Sequence, residues 1–249
     1  MTEPVIFCRT AQLHGITSDR TMFDEFARRS TELHRLRAHD LRERGHALPG
    51  AAAAIDTVAA LDGVVQSVVT GNIRAVARTK LQVFGLDTHI QFPHGGYGDD
   101  HDDRAELVRT ATARTRAATG AQLALADVLL IGDTPADVAA ARAAGVPVLA
   151  VATGRTTAAE LADAGATTTI RDLQDAAPLH ALLRFNCAND PARPGASTSY
   201  PSGRGSRAVR AHCGGRTGVE WSPVRRFGHG LAGCPVSAGA GGVEGGMDA

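Results

Sequence analysis

Three positions in this 249-residue chain put a reactive or anion-binding residue at the end of an apolar run or at the start of a helical one. The first is Thr70-Gly71-Asn72, directly after the run 64–69. A hydroxyl at a strand end, a glycine allowing close approach and a helix N-terminus behind it suit an anion of phosphate size. Taken alone, the tripeptide reads more simply as a turn with Asn72 as N-cap. The second is Leu130-Ile131-Gly132-Asp133-Thr134-Pro135-Ala136-Asp137. Thr134 suits the N-cap, Pro135 the first helical position and Asp137 the third, so a capping box accounts for Asp137. Asp133 has no such explanation, because nothing about packing calls for a carboxylate at the end of an apolar strand. Two carboxylates four residues apart across this turn are hard oxygen ligands suited to Mg²⁺. The third is Arg104. It falls in the first turn of a helix, where a cation opposes the macrodipole and points to service of an anion. Lys80, the only lysine, is the rival cation, but its mid-helix place reads as solvated.

The elements that must position these residues follow from hydrophobic periodicity. Helices are expected over 4–14 and 19–45, the longer one carrying Met22, Phe23, Phe26, Leu33, Leu36 and Leu41 on one stripe. From residue 48 the pattern alternates. Helix 50–61 leads to strand 64–69, helix 73–84 to a poor strand near 89–92, and helix 103–118 to strand 127–131. Helix 135–144 then leads to strand 147–151, and helix 157–164 to a short strand at 168–170. Apolar strands alternating with helices predict an α/β fold with a parallel, doubly wound sheet. Ligands of such sheets bind beyond the carboxyl ends of the strands, where Thr70 and Asp133 fall. Asp99, Asp100, His101, Asp102 and Asp103 read as a solvated loop feeding a helix, with Asp102 or Asp103 as its cap. The chain divides by composition into 1–47, helical and charged; 48–185, the alternating core; and 186–249. The last part holds half of the 28 glycines and is expected to be a disordered tail.

The 26 basic and 26 acidic residues cancel, and aromatics make up 4%. Neither a basic surplus for nucleic acid or anionic membrane nor a platform for stacking bases is present. Cys8, Cys187, Cys213 and Cys234 lack zinc-site spacing. The N-terminus has no signal-peptide pattern, and a cytoplasmic location is expected. Oligomeric state is not encoded in any recognisable pattern.

The strand followed by Thr70-Gly71-Asn72, the arginine heading a helix and the strand followed by Gly132-Asp133-Thr134-Pro135-Ala136-Asp137 resemble the second, third and fourth motifs of the haloacid dehalogenase-like hydrolase superfamily. The likeness is closer to its phosphoglycolate phosphatase-like members. The order from Leu48-Pro49-Gly50 through Gly145-Val146-Pro147 to Thr153-Gly154 fits, and the resemblance spans about residues 3–175. It implies a Rossmann-like core with a partial helical cap at 1–47. It also implies a Mg²⁺-dependent phosphatase acting on small phosphorylated metabolites. In that reading Thr70, with Gly71 and Asn72, holds phosphoryl oxygens. Arg104 neutralises the charge of the transition state, Asp133 is catalytic, and Asp133 and Asp137 position the metal. The family's first motif, a central strand ending Asp-x-Asp-x-Thr, has no counterpart near the start, so the chain reads as beginning inside the cap. Val5-Ile6-Phe7-Cys8 has the outline of a strand and nucleophile but falls where the pattern places a cap helix. Two expectations follow: a phosphatase that is weak or inactive as this chain stands, or a pseudoenzyme-like protein that binds phosphate without catalysis.

Overall fold

The computed structural model describes residues 1–188 and 217–221. Three helices come first, α1 (Glu3–Leu13), α2 (Arg20–Leu36) and α3 (Ala38–Arg44). The alternating part follows as α4 (Ala51–Ala59), β1 (Val64–Thr70), α5 (Arg74–Val83), β2 (Gly96–Tyr97), α6 (Arg104–Thr119), β3 (Val128–Gly132), α7 (Pro135–Ala144), β4 (Val148–Val151), α8 (Ala158–Asp163), β5 (Thr168–Ile170) and α9 (Ala177–Ala188). A further strand, β6 (Thr217–Trp221), completes a six-stranded sheet in the order β2-β1-β6-β3-β4-β5. Every pairing in it is parallel.

The doubly wound reading of the sequence is the observed architecture. Both faces of the sheet are covered, as continuous apolar runs require. Alternation along β3 sends Leu129 and Ile131 to one side, with Ile55 of α4, Leu81 of α5 and Leu179 of α9. Val128 and Leu130 go to the other, with Leu107 of α6, Val138 of α7 and Leu161 of α8. Gln66 in the middle of β1 is buried, and its Nε2 donates to the Ile55 carbonyl at 2.9 Å.

Four differences from the sequence reading have physical causes. The single helix expected over 19–45 breaks at Arg37, which lies outside helical geometry at φ −101°, ψ 25°. The break turns α3 onto α5, where the Arg42 guanidinium donates twice to the Val83 carbonyl, at 2.8 and 3.2 Å. The apolar stripe of α2 is only partly used: Phe23 is buried against Ile73 and Val76, whereas Leu33 and Leu36 stay exposed. The strand expected near 89–92 is instead a loop entering a 3-10 turn at Phe92–His94, and the paired residues are Gly96 and Tyr97. Pro93 can donate no ladder hydrogen bond, which displaces the strand past it. The expected disordered tail over 186–249 falls mostly outside the described residues, but α9 runs to Ala188, and 217–221 lie in the sheet as β6 between β1 and β3.

A candidate anion site at the carboxyl edge of the sheet

Register sets the level of the two central loops. Val68 of β1 and Ile131 of β3 both pair with Trp221 of β6. Thr70 and Asp133 each stand two residues further on, so they share a level at the carboxyl edge, one strand position apart from adjacency. Two strand spacings put their backbones about 10 Å apart.

Thr70 is buried at the end of β1. Its Oγ1 accepts from the backbone N–H of Asn72 at 3.2 Å and from Asn72 Nδ2 at 2.7 Å. Both lone pairs are thereby used, and the hydroxyl hydrogen is left to donate outward. Asn72 is therefore not the helix cap that the plain reading makes it. The cap position of α5 is Ile73, with no capping side chain of its own. Carboxylates from elsewhere serve instead: Glu3 accepts from the Ile73 N–H at 3.1 Å and Asp99 from the Arg74 N–H at 2.9 Å. With its amide turned back to Thr70, Asn72 offers Oδ1 to Lys80 Nζ at 2.9 Å. Lys80, read from the sequence as solvated, is half-buried and tied to this loop. Eight residues is slightly more than two helical turns, which puts Lys80 on the side of α5 that Asn72 enters. That spacing was the signal for it.

The loop after β2 closes over Gly71. The Gly98 N–H donates to the Asn72 carbonyl at 2.9 Å, and a Cβ on Gly98 would lie 2.2 Å from the Gly71 carbonyl oxygen. Only a glycine fits there. The acids of this loop are structural. Asp99 serves α5, Asp103 caps α6 by accepting from Ala105 N–H at 2.9 Å, and Asp100 takes a two-pronged pair from Arg114 at 2.6 and 2.7 Å. Partial burial works to raise the Asp100 carboxyl pKa. The hydrogen bonds from Arg114 and the Tyr97 N–H, with the charges of Arg114 and Arg74, outweigh burial and hold it below the ordinary aspartate value. Burial pushes the Tyr97 phenol up to about 12, and its hydroxyl donates to the Phe92 carbonyl at 2.7 Å.

Arg104 opens α6 and is joined to Asp137 of α7 through Nη1 and Oδ1. Asp137 occupies the third position of α7, where a carboxylate reaches back to its own N-terminus. Its Oδ2 accepts from the Thr134 N–H at 3.2 Å and from Thr134 Oγ1 at 2.7 Å, while its N–H returns to Thr134 Oγ1. The capping box stands as the sequence reading has it. The two Thr134 donors fall on Oδ2 and the Arg104 guanidinium on Oδ1, which keeps a lone pair for a further partner such as a metal ion. A Cβ on Gly132 would lie 2.4 Å from Asp137 Cβ, so this glycine lets α7 start so close to β3. Arg104 Nε is buried and has no acceptor among the described residues. Asp133 is half-buried beside the loop after β4, where a Cβ on Gly154 would come 2.9 Å from its Oδ2. Among the described residues no group of three or more histidine, cysteine or acidic side chains could enclose a metal. Cys8 is buried within α1, not at a strand end.

The carboxyl edge of the parallel α/β sheet thus holds Thr70 and Asp133 at one level, with Lys80 of α5 tied to the first loop through Asn72 and Arg104 of α6 tied to the start of α7 through Asp137. The comparisons with known proteins carry the class further. The model of the haloacid dehalogenase-like hydrolases matches residues 3–142. The chain belongs to that family. No curated protein matches it in sequence. Among solved structures, a family IA haloacid dehalogenase hydrolase from Entamoeba histolytica has the same fold, with TM-score 0.52 and 11% identity over 71% of this chain and 76% of that one. A haloacid dehalogenase-like protein from Agrobacterium tumefaciens is 21% identical over 72% of this chain and 77% of its own, at TM-score 0.45. A hydrolase from Pseudomonas syringae is 20% identical over 68% and 72%, at 0.48. Among the described residues no helix is long and apolar enough to cross a membrane.

Proposed function

We propose that the chain binds small phosphate monoesters at the edge formed by Thr70, Gly71, Asn72, Arg104 and Asp133, and that it hydrolyses them at or near background. The observation that carries the binding half is the pair of donors left over when all internal hydrogen bonds are made: the Thr70 hydroxyl hydrogen and Arg104 Nε–H. Buried donors without acceptors are costly, and an oxyanion between them removes that cost. Lys80 adds positive charge to the Thr70 side. Asp137 keeps the Arg104 guanidinium in place.

Mg²⁺ fits this edge through Asp133 as its carboxylate, because the ion accepts one or two carboxylates completed by water and substrate phosphate oxygens. When bound, it would offset phosphoryl charge. The protein's own residues orient the phosphoryl group and hold positive charge against it, which is most of what phosphoryl transfer asks of a protein.

The catalytic half of the proposal follows from the strand between the two loops. β6 holds the position from which a nucleophile could face both Thr70 and Asp133. The sequence after Trp221 reads Ser222-Pro223-Val224-Arg225-Arg226 and contains no carboxylate. Loss of an aligned nucleophile removes several orders of magnitude in rate, because the partners act as a unit. The reading of the chain as a phosphate-binding protein without catalysis is therefore preferred over an active phosphatase.

The test pairs binding with turnover. Inorganic phosphate titrated into the 249-residue protein should give saturable heat that Arg104→Met abolishes. p-Nitrophenyl phosphate and phosphoglycolate with Mg²⁺ should turn over no faster than in buffer. No phosphate binding overturns the proposal. Robust turnover lost in Asp133→Asn would keep the site but restore the phosphatase.

A further inference from the structure

A cleft of about 920 Å³ opens between the cap-side helices α2 and α3 and the outer face of α5. Its polar lining is strongly one-sided: Arg35 from α2, Arg74 and Arg78 from α5, and the single carboxylate Asp99. Asp99 Oδ1 accepts from the Arg74 N–H at 2.9 Å. Among the described residues none of the three arginines has a carboxylate within salt-bridge distance. That sets them apart from other arginines of α2 such as Arg20, Arg28 and Arg29, which all pair with neighbouring acids.

Two of these guanidiniums are held in place. Arg74 lies over the ring of buried Tyr97 at 5.6 Å and Arg78 over the ring of buried Phe92 at 5.5 Å. The attraction of a ring face for a cation narrows the range of positions each guanidinium samples, so less side-chain entropy is lost when an oxyanion binds. Arg74 and Arg78 are four apart on one helix, a spacing at which like charges repel, and Arg35 faces them across the cleft. Three cations gathered against the single carboxylate Asp99 leave the cleft with a net positive charge that an anionic ligand can fill. Thr79 and Gln82 add polar contacts at the wall, while Ile73, Ala75 and Val83 keep part of it apolar.

We propose that this cleft is a second anion-binding site, which takes a small multivalent oxyanion of the pyrophosphate type. It stands independently of the hydrolase reading, since it rests on α2, α3 and α5 and on none of the residues assigned above to the phosphate edge. Forked N–H donors match the paired oxygens of such an anion, and three positive side chains favour it over a monovalent one.

The test is a titration of the isotopically labelled full-length protein with pyrophosphate, followed by amide NMR. Saturable shifts at residues 74–79, separate from any at 70–72 and 132–134, are expected. Arg78→Ser and Arg35→Ser should each weaken this site at least tenfold. Arg44→Ser, which removes an exposed arginine outside the cleft, should leave it within twofold, and Arg104→Met should leave the 74–79 shifts in place. Acetate should produce none of them. Equal weakening by Arg44→Ser would reduce the effect to overall charge and overturn the proposal. Shifts confined to 70–72 and 132–134, or no saturable shift at 74–79 at millimolar pyrophosphate, would overturn it as well.

Discussion

Replacing Asp137 by alanine removes the carboxylate that Arg104 and Thr134 share. Its side chain keeps 4% of its accessibility and that of Arg104 keeps 15%, so the pair lies inside the protein. Deleting one partner leaves the other's charge buried without a counter-ion, which costs about 3–5 kcal/mol. Half of the α7 capping box goes with it, worth about 1 kcal/mol. Because Arg104 retains some access to water, the lower part of the range applies, and Asp137→Ala should lose about 3–4 kcal/mol. Thr134→Ala, which removes only the cap, should lose about 1 kcal/mol. The double variant Arg104→Met with Asp137→Leu discards both charges and should recover most of the stability, as apolar replacement of a buried pair usually does. Urea unfolding at constant slope reads each value, and the cycle of single and double variants reads the coupling. If Asp137→Ala lost no more than Thr134→Ala, only the cap would have been removed. Asp137 would then not be what holds Arg104.

Three further outcomes are expected. Asp100, held below the ordinary aspartate pKa, contributes stability that is fully present above its unfolded value and is lost as pH falls through its folded value. The urea midpoint of the native protein should therefore drop on acidification below about pH 4, and Asp100→Asn should flatten that drop while lowering stability at neutral pH. Gly98→Ala drives a methyl group to within 2.2 Å of the Gly71 carbonyl oxygen, a backbone atom that cannot swing aside. It should cost about 1–3 kcal/mol in urea unfolding and displace the Asn72 amide resonance. Lys80→Met should weaken inorganic phosphate about tenfold by calorimetry, about 1.4 kcal/mol, with little change in unfolding midpoint.

Period and cap chemistry made most of this fold legible. The strand 64–70, the strand 128–132 and the helices after them announce themselves because burial on both faces forces continuous apolar runs. The box of Thr134 and Asp137 was readable because its residue types serve backbone groups three positions apart. What escaped the sequence depends on distant partners. Arg37 breaks a good helical pattern because α3 finds Val83 and Phe84, which no local rule foresees. Asn72 forgoes capping because Glu3 and Asp99 supply the carboxylates from elsewhere. β6 was unreadable for a different reason. Its glycine and glutamate are poor residues for the middle of a parallel sheet, so composition argues against a strand that backbone pairing on both sides establishes.

That placement has a consequence for the order in which the molecule assembles. β1 with β2, and β3 with β4 and β5, form two half-sheets whose partners are near in the chain. They are joined only through β6, which brings Thr217 beside Val64 and Gly218 beside Val128. Loop-closure entropy rises slowly with length, about 0.6 kcal/mol per doubling, so the distance is tolerable at equilibrium. It is felt in time, because pairing across so much intervening chain slows folding. Until β6 arrives, β1 and β3 each present an apolar strand edge with unmet hydrogen bonds, open to any other extended segment in reach. Refolding of this protein should thus be slow and sensitive to concentration. The level shared by Thr70 and Asp133 is the last thing that it establishes.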